Sequence, residues 1–159
     1  MTGRHLAAGL HGFDDLQIGD LVETGSVVVT AAMIDTFADL TGDRFAIHMT
    51  DTGAQALGFA RRVAHGLLVL SLIDGLKNQC PAQLRAVASL GWDWSFRKPV
   101  LLDDRLRAVM SVAAKRPTSN AARGIVTLSF QVLNQSGEVV QLGQNQLMML
   151  RQSVIAPGF

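Results

Sequence analysis

The segment Gly66–Leu76, GLLVLSLIDGL, limits the folds open to this chain more than any other stretch. It is apolar on nearly every side at the helical period, which marks a helix buried on most sides and not one resting an amphipathic face against a core. Such a helix needs a covering layer, and the downstream sequence supplies one. There the apolar period changes from helical to alternating, with Leu90, Trp92, Trp94 and Phe96 interleaved by Gly91, Asp93 and Ser95. Leu106, Ala108, Met110, Val112 and Ala114 form a second such face, and Val126, Leu128, Phe130 and Val132 a third. Val139–Leu150 reads as a fourth strand of less regular alternation. Turn clusters at Pro99–Asp103, Arg116–Asn120 and Asn134–Gly137 separate them. Four antiparallel strands in a meander need one face covered, and the helix over Gly66–Gln79 is the only element apolar enough to do it. The expected fold class is α+β: a curved antiparallel β-sheet wrapped around a long central helix, in a single domain over residues 1–159.

The first half is more helical. Val22–Val29 is β-branched enough for a strand. Thr30 is placed to cap a helix over Ala31–Leu40, which Gly42 would end by accepting the left-handed conformation. Asp43 to His48 reads as a loop, and Thr50 or Asp51 can cap a short helix reaching about Phe59.

Charge and cysteine content narrow the function classes. Charged residues make up 17% of the chain, with a net charge of +1, against a usual share of about 25%. No basic stripe is present for a nucleic acid, and no polybasic anchor for a membrane. Cys80 is the only cysteine, so an intrachain disulfide and a multi-cysteine metal centre are excluded. The opening residues lack the apolar core of a secretory signal. The expectation is a cytoplasmic protein. Even so, 48% of the residues are apolar, a surplus that points to a second subunit or an apolar ligand covering part of the surface.

Few residues can carry chemistry. His5 and His11 lie in the irregular start and read as solvated. His48 follows Asp43 by five residues, with Phe45, Ala46 and Ile47 between them to keep water out. A carboxylate beside an imidazole can hold and deprotonate a water, although Gly-Asp after a helix is also ordinary loop chemistry. His65-Gly66 opens the apolar helix, where unpaired N–H groups and a partial positive charge could polarise a carbonyl oxygen. A packing glycine beside a structural histidine is the equal alternative. Asp74 lies within the helix, either at its solvent side or facing a cleft.

Taken together, IDTFADLTGDRFAIHMTDTGAQALGFARRVAHGLLVLSLIDGL resembles the signature region of the MaoC-like dehydratases, the (R)-specific enoyl-CoA hydratases of the hotdog fold. Phe37-Ala38, Thr41-Gly42-Asp43, His48 and Ala64-His65-Gly66 occur in the family's order and spacing, and residues 94–108, WSFRKPVLLDDRLRA, match its strand–turn–strand. The resemblance runs from about residue 13 to 151. It implies reversible syn hydration of a trans-2-enoyl thioester, on coenzyme A or an acyl carrier, with Asp43 and His48 as the catalytic pair. Gly66 N–H would bind the thioester oxygen, and Phe45 and His65 would contact substrate. It implies no metal and no redox cofactor, and a homodimer or higher even oligomer. Where the family has Asn-Pro, this sequence has Phe45-Ala46. Two alternatives stand beside this reading: a hotdog thioesterase, whose helix carboxylate could only be Asp74, and a non-catalytic subunit that binds acyl thioesters.

Overall fold

Thr30 and Gly42 set the limits of the first helix as their chemistry requires. In the computed structural model, which describes residues 3–151, the Thr30 hydroxyl accepts from Met33 N–H at 3.3 Å. At the other end Gly42, at φ 78°, returns its N–H to Ala38 C=O. Along the chain come β1 (Gly9–His11), a 3-10 turn (Phe13–Asp15), β2 (Leu21–Val28), α1 (Ala31–Thr41), α2 (Ala46–Met49) and α3 (Asp51–Gln55). They are followed by α4 (Gly66–Lys77), β3 (Ala82–Leu84), β4 (Ala86–Phe96), β5 (Arg105–Pro117), β6 (Arg123–Leu133) and β7 (Val139–Leu150).

The sheet has five antiparallel strands in the order β2-β5-β6-β7-β4. Only β5, β6 and β7 form the expected meander. β4 crosses over to pair with β7, Phe96 opposite Gln141 and Trp94 opposite Gly143, while β2 joins the far edge against β5. This crossover places Trp92 and Trp94 against Phe130 at ring separations of 5.4 and 5.5 Å, a cluster that half-buries both tryptophans on the edge strand. The apolar faces read from β5 and β6 are buried at Leu106, Ala108, Met110 and Val112 on one and Val126, Leu128, Phe130 and Val132 on the other; Ala114, expected on the first, is exposed because the register of β5 against β6 shifts between Val112 and Ala114. β1 and β3, two three-residue strands paired in parallel, carry no alternation long enough to be seen in the sequence.

α4 differs from its expected burial. Leu68, Val69 and Ile73 enter the core, but Leu67 is 60% exposed and Ser71 is also open to solvent. One side of an all-round apolar helix is therefore uncovered within a single chain, because the curved sheet reaches only the face that packs on it. β4 is similarly open at the sheet edge, with Val87 and Leu90 exposed. Among the described residues, no helix is long and apolar enough to cross a membrane.

Candidate active site

The segment after α1 is shaped by short local bonds. Gly42 ends the helix, Asp43 N–H reaches the Thr41 hydroxyl at 3.2 Å, and the Asp43 carboxylate accepts from Phe45 N–H at 3.3 Å. The stretch read as a loop from Asp43 to His48 contains a one-turn helix, α2, that starts at Ala46. That turn carries His48 inward. His48 is buried, and its Nδ1 lies 2.6 Å from Val63 C=O. A carbonyl can only accept, so Nδ1 carries the proton and Nε2 keeps its lone pair. Burial holds the His48 pKa below its ordinary value of 6.5; His65 and Arg62 push the same way, against the Val63 hydrogen bond and Asp43.

His65 does something the sequence did not disclose. Its Nε2 lies 2.8 Å from the backbone carbonyl of Asp43, so it donates there and ties the segment from Asp43 to His48 to the start of α4. Its ring stacks on His48 with centroids 3.9 Å apart and leans on Phe37 at 5.0 Å. Its Nδ1 is buried without a partner. Donor atoms of Asp43, His48 and His65 all lie within 4.8 Å of one another, about the span of two hydrogen bonds of roughly 2.8 Å through a single water. The same trio does not suit a metal ion. The two rings are inclined by only 28°, so their planes, which carry the lone pairs, meet far beyond a metal–nitrogen bond of about 2.0–2.1 Å.

Gly66 is the first residue of α4, following His65 in extended conformation. Its N–H is one of the helix-start donors without an intrahelical acceptor, and no described residue accepts it. A Cβ at Gly66 would come within 2.5 Å of the Phe96 ring. The missing side chain thus lets Phe96 lie against the helix start, which is the packing expected of this glycine.

A cleft of about 590 Å³ joins these groups, lined by Phe37, Asp43, His48, Phe59, His65, Gly66, Leu67, Phe96 and Gln141 among others. The volume is within the range of small-ligand sites, and the lining is mostly apolar with a few convergent polar groups. Asp43, His48, His65 and Gly66 thus share one cleft. Phe45, expected to line it, does not: it caps the start of α2, is 58% exposed and meets His48 only edge-on at 6.3 Å. The aromatic walls come instead from Phe37, Phe59 and Phe96. Asp74 is outside the cleft and paired with Lys77 at 2.6 Å. Gln141 had one visible signal, a polar residue at an inward position that spoils the alternation of β7.

The backbone also explains why Ala46 can replace proline. Phe45 sits at φ −59°, ψ 139°, the extended conformation a residue takes before proline, and Ala46 is the first helical residue, where proline is favoured. Ala46→Pro should stabilise the protein by about 0.4–1 kcal/mol through the unfolded chain, seen as a rise of about 1–4 °C in Tm. A lower Tm would show that this N–H is needed.

The sequence profile of the MaoC like domain matches residues 15–132. An (R)-specific enoyl-CoA hydratase of Aeromonas caviae is 33% identical over 116 residues, covering 72% of this chain and 81% of the relative. A MaoC-like dehydratase structure from Rhodospirillum rubrum superposes with a TM-score of 0.81 at 27% identity, covering 89% of this chain and 98% of the other. A Mycobacterium tuberculosis protein with a double hotdog fold matches at TM-score 0.79 and 21% identity, over 96% of this chain and 48% of its own; that likeness is one of fold.

Proposed function

This chain belongs to the MaoC-like domain family and is an enzyme of the hydratase and dehydratase type; on that footing we propose that it catalyses reversible syn hydration of a trans-2-enoyl thioester to the (R)-3-hydroxyacyl thioester. The observation that carries this is the convergence of Asp43, His48 and the Gly66 N–H on one apolar cleft. Water bridges Asp43 and His48. Its oxygen attacks C3 while its proton passes to the pair, the His48 Nε2 lone pair being the free acceptor. The C2–C3 π electrons move toward the thioester, and the developing oxyanion is met by the Gly66 N–H at the positive end of α4. The pair then returns the proton to C2 on the face from which the oxygen arrived, so both new bonds lie on one side. No metal or redox step enters, since the thioester itself acidifies C2. His65 acts by tethering Asp43, not by touching substrate. The acyl chain lies along Phe37, Phe59 and Phe96.

The test is a panel of crotonyl and longer or branched enoyl thioesters, on coenzyme A and on acyl carrier protein, followed by loss of the conjugated double bond and by chirality of the product. Hydration to the (R)-alcohol is expected. An (S)-product, or thiol release in its place, would overturn the proposal; thiol release would favour the thioesterase reading, which Asp74 is poorly placed to serve. Tight acyl-CoA binding without turnover would favour the non-catalytic subunit.

We also propose a homodimer or a multiple of one, joined through the open side of α4 and the β4 edge. The exposed Leu67, Leu90 and Phe96 are the apolar area it would cover. Light scattering should give at least twice 17.1 kDa; a stable monomer at micromolar concentration would contradict it.

A further inference from the structure

Gln141 is a polar side chain at a core position, only 2% exposed, and a buried amide in that place needs a reason. Its partners supply one. Gln141 Nε2 donates to the backbone carbonyl of Gly66 at 3.1 Å, and its Oε1 accepts from the indole N–H of Trp94 at 2.8 Å. Trp94 is itself held against the sheet by Gly143. A Cβ there would come within 2.2 Å of the Asp93 carbonyl and 2.5 Å of the Trp94 ring. A chain of bonds therefore runs from β4 and β7, which are paired as strands at this point, to the first residue of α4, which among the described residues has no backbone bond to either strand.

The geometry points to Gln141 as a positioning residue for the reaction: oriented by Trp94, it grips the Gly66 carbonyl and so fixes the first turn of α4, holding the neighbouring Gly66 N–H in line for the thioester oxygen. This rests on the hydratase reading above. The physical argument is one of rigidity. The first turn of a helix lacks half its backbone bonds and frays readily, whereas an oxyanion donor is effective only when its direction is set before charge develops. A hydrogen bond from outside the helix, anchored by an indole that can donate only one way, supplies that restraint. Because Oε1 accepts from the indole, the amide cannot flip without leaving two buried groups unpaired.

The experiment compares wild type with Gln141→Leu, Gln141→Glu and Trp94→Phe, measuring kcat and KM on an enoyl-CoA per folded protein, together with hydrogen exchange of the amides of residues 66–70. Gln141→Leu should lower kcat about tenfold with KM changed by less than about twofold, since an interaction that matters in the transition state is loosened. Gln141→Glu can still accept from Trp94 but cannot donate to Gly66, and should show the same kcat loss. Trp94→Phe, which frees the amide to rotate, should show a smaller loss in the same direction. Exchange at residues 66–70 should accelerate in all three while β5 and β6 amides stay protected. Unchanged kcat per folded protein in Gln141→Leu, or exchange raised equally throughout the sheet, would overturn the role and leave Gln141 a packing residue. A wild type that hydrates none of the thioesters would defeat the hydratase reading instead. The exchange pattern would then decide by itself whether Gln141 holds the helix start: faster exchange confined to 66–70 keeps that role, and no change overturns it.

Discussion

Asp43→Asn should reduce kcat by about 10²–10⁴-fold, the range for losing a general acid–base group, with stability changed by less than about 0.5 kcal/mol. The two halves of this expectation rest on different observations. Asp43 is exposed, and its carboxylate makes a single local bond, to Phe45 N–H; an asparagine oxygen can accept that bond equally well. Its backbone carbonyl, which His65 holds, is untouched. What disappears is the negative charge beside His48 and, in the proposed mechanism, one of the two groups that bridge the water. Equal rates for Asp43→Asn and wild type would remove Asp43 from the mechanism.

The pH profile should move with it. In the folded protein the His48 pKa lies below 6.5, first because of burial. A group lowered on folding adds stability that is fully present above the unfolded value and is lost as pH falls through the folded one. Both kcat/KM and Tm should therefore fall on the acid side within a window starting near 6.5 and extending below it, as the Nε2 lone pair is protonated. Asp43 raises the His48 value, so Asp43→Asn should carry the acid limb to still lower pH in whatever activity remains. An acid limb that moves upward would contradict the assignment.

Gly66→Ala should cost about 10²-fold in kcat/KM, comparable to losing one oxyanion donor, while leaving the fold intact. The added Cβ meets ring atoms of Phe96 at 2.5, 2.5 and 2.8 Å, so something must shift. Phe96 also lines the cleft, which gives its ring space to swing into when the Cβ displaces it. It then lies over the donor that the thioester oxygen needs. Adding Phe96→Ala to Gly66→Ala should restore activity at least about tenfold over the single variant, a coupling of the kind expected between residues in contact. If the double variant is no better, the loss comes from the helix start itself and not from the displaced ring.

Much of this was open to reading along the chain. Thr30, Gly42 and Thr50 act at helix ends through their own backbone and hydroxyl groups, so α1 and the start of α3 follow from local chemistry. β2 follows from its β-branched residues and β5 and β6 from a period of two, and the order Asp43, His48, His65-Gly66 brought the family resemblance with it. α3 is shorter than expected and ends at Gln55, and the one-turn α2 was missed because four residues carry no periodicity. The strand order, the open side of α4 and the His65 tether were not legible, since each depends on residues tens of positions apart, and the outward turn of Phe45 follows from the one-turn α2 that the sequence did not reveal.

The sequence by itself determined which residues could do chemistry and which local structures would hold them, because capping, periodicity and charge act over a few residues. Only the tertiary structure decided that His48 is the buried member of the pair with Nε2 free, that His65 grips Asp43, and that Gln141 reaches the start of α4. Those outcomes depend on which carbonyl a buried donor meets. In a low-dielectric interior that meeting is compulsory, but its partner is set by how the sheet curls and where β4 crosses over to β7.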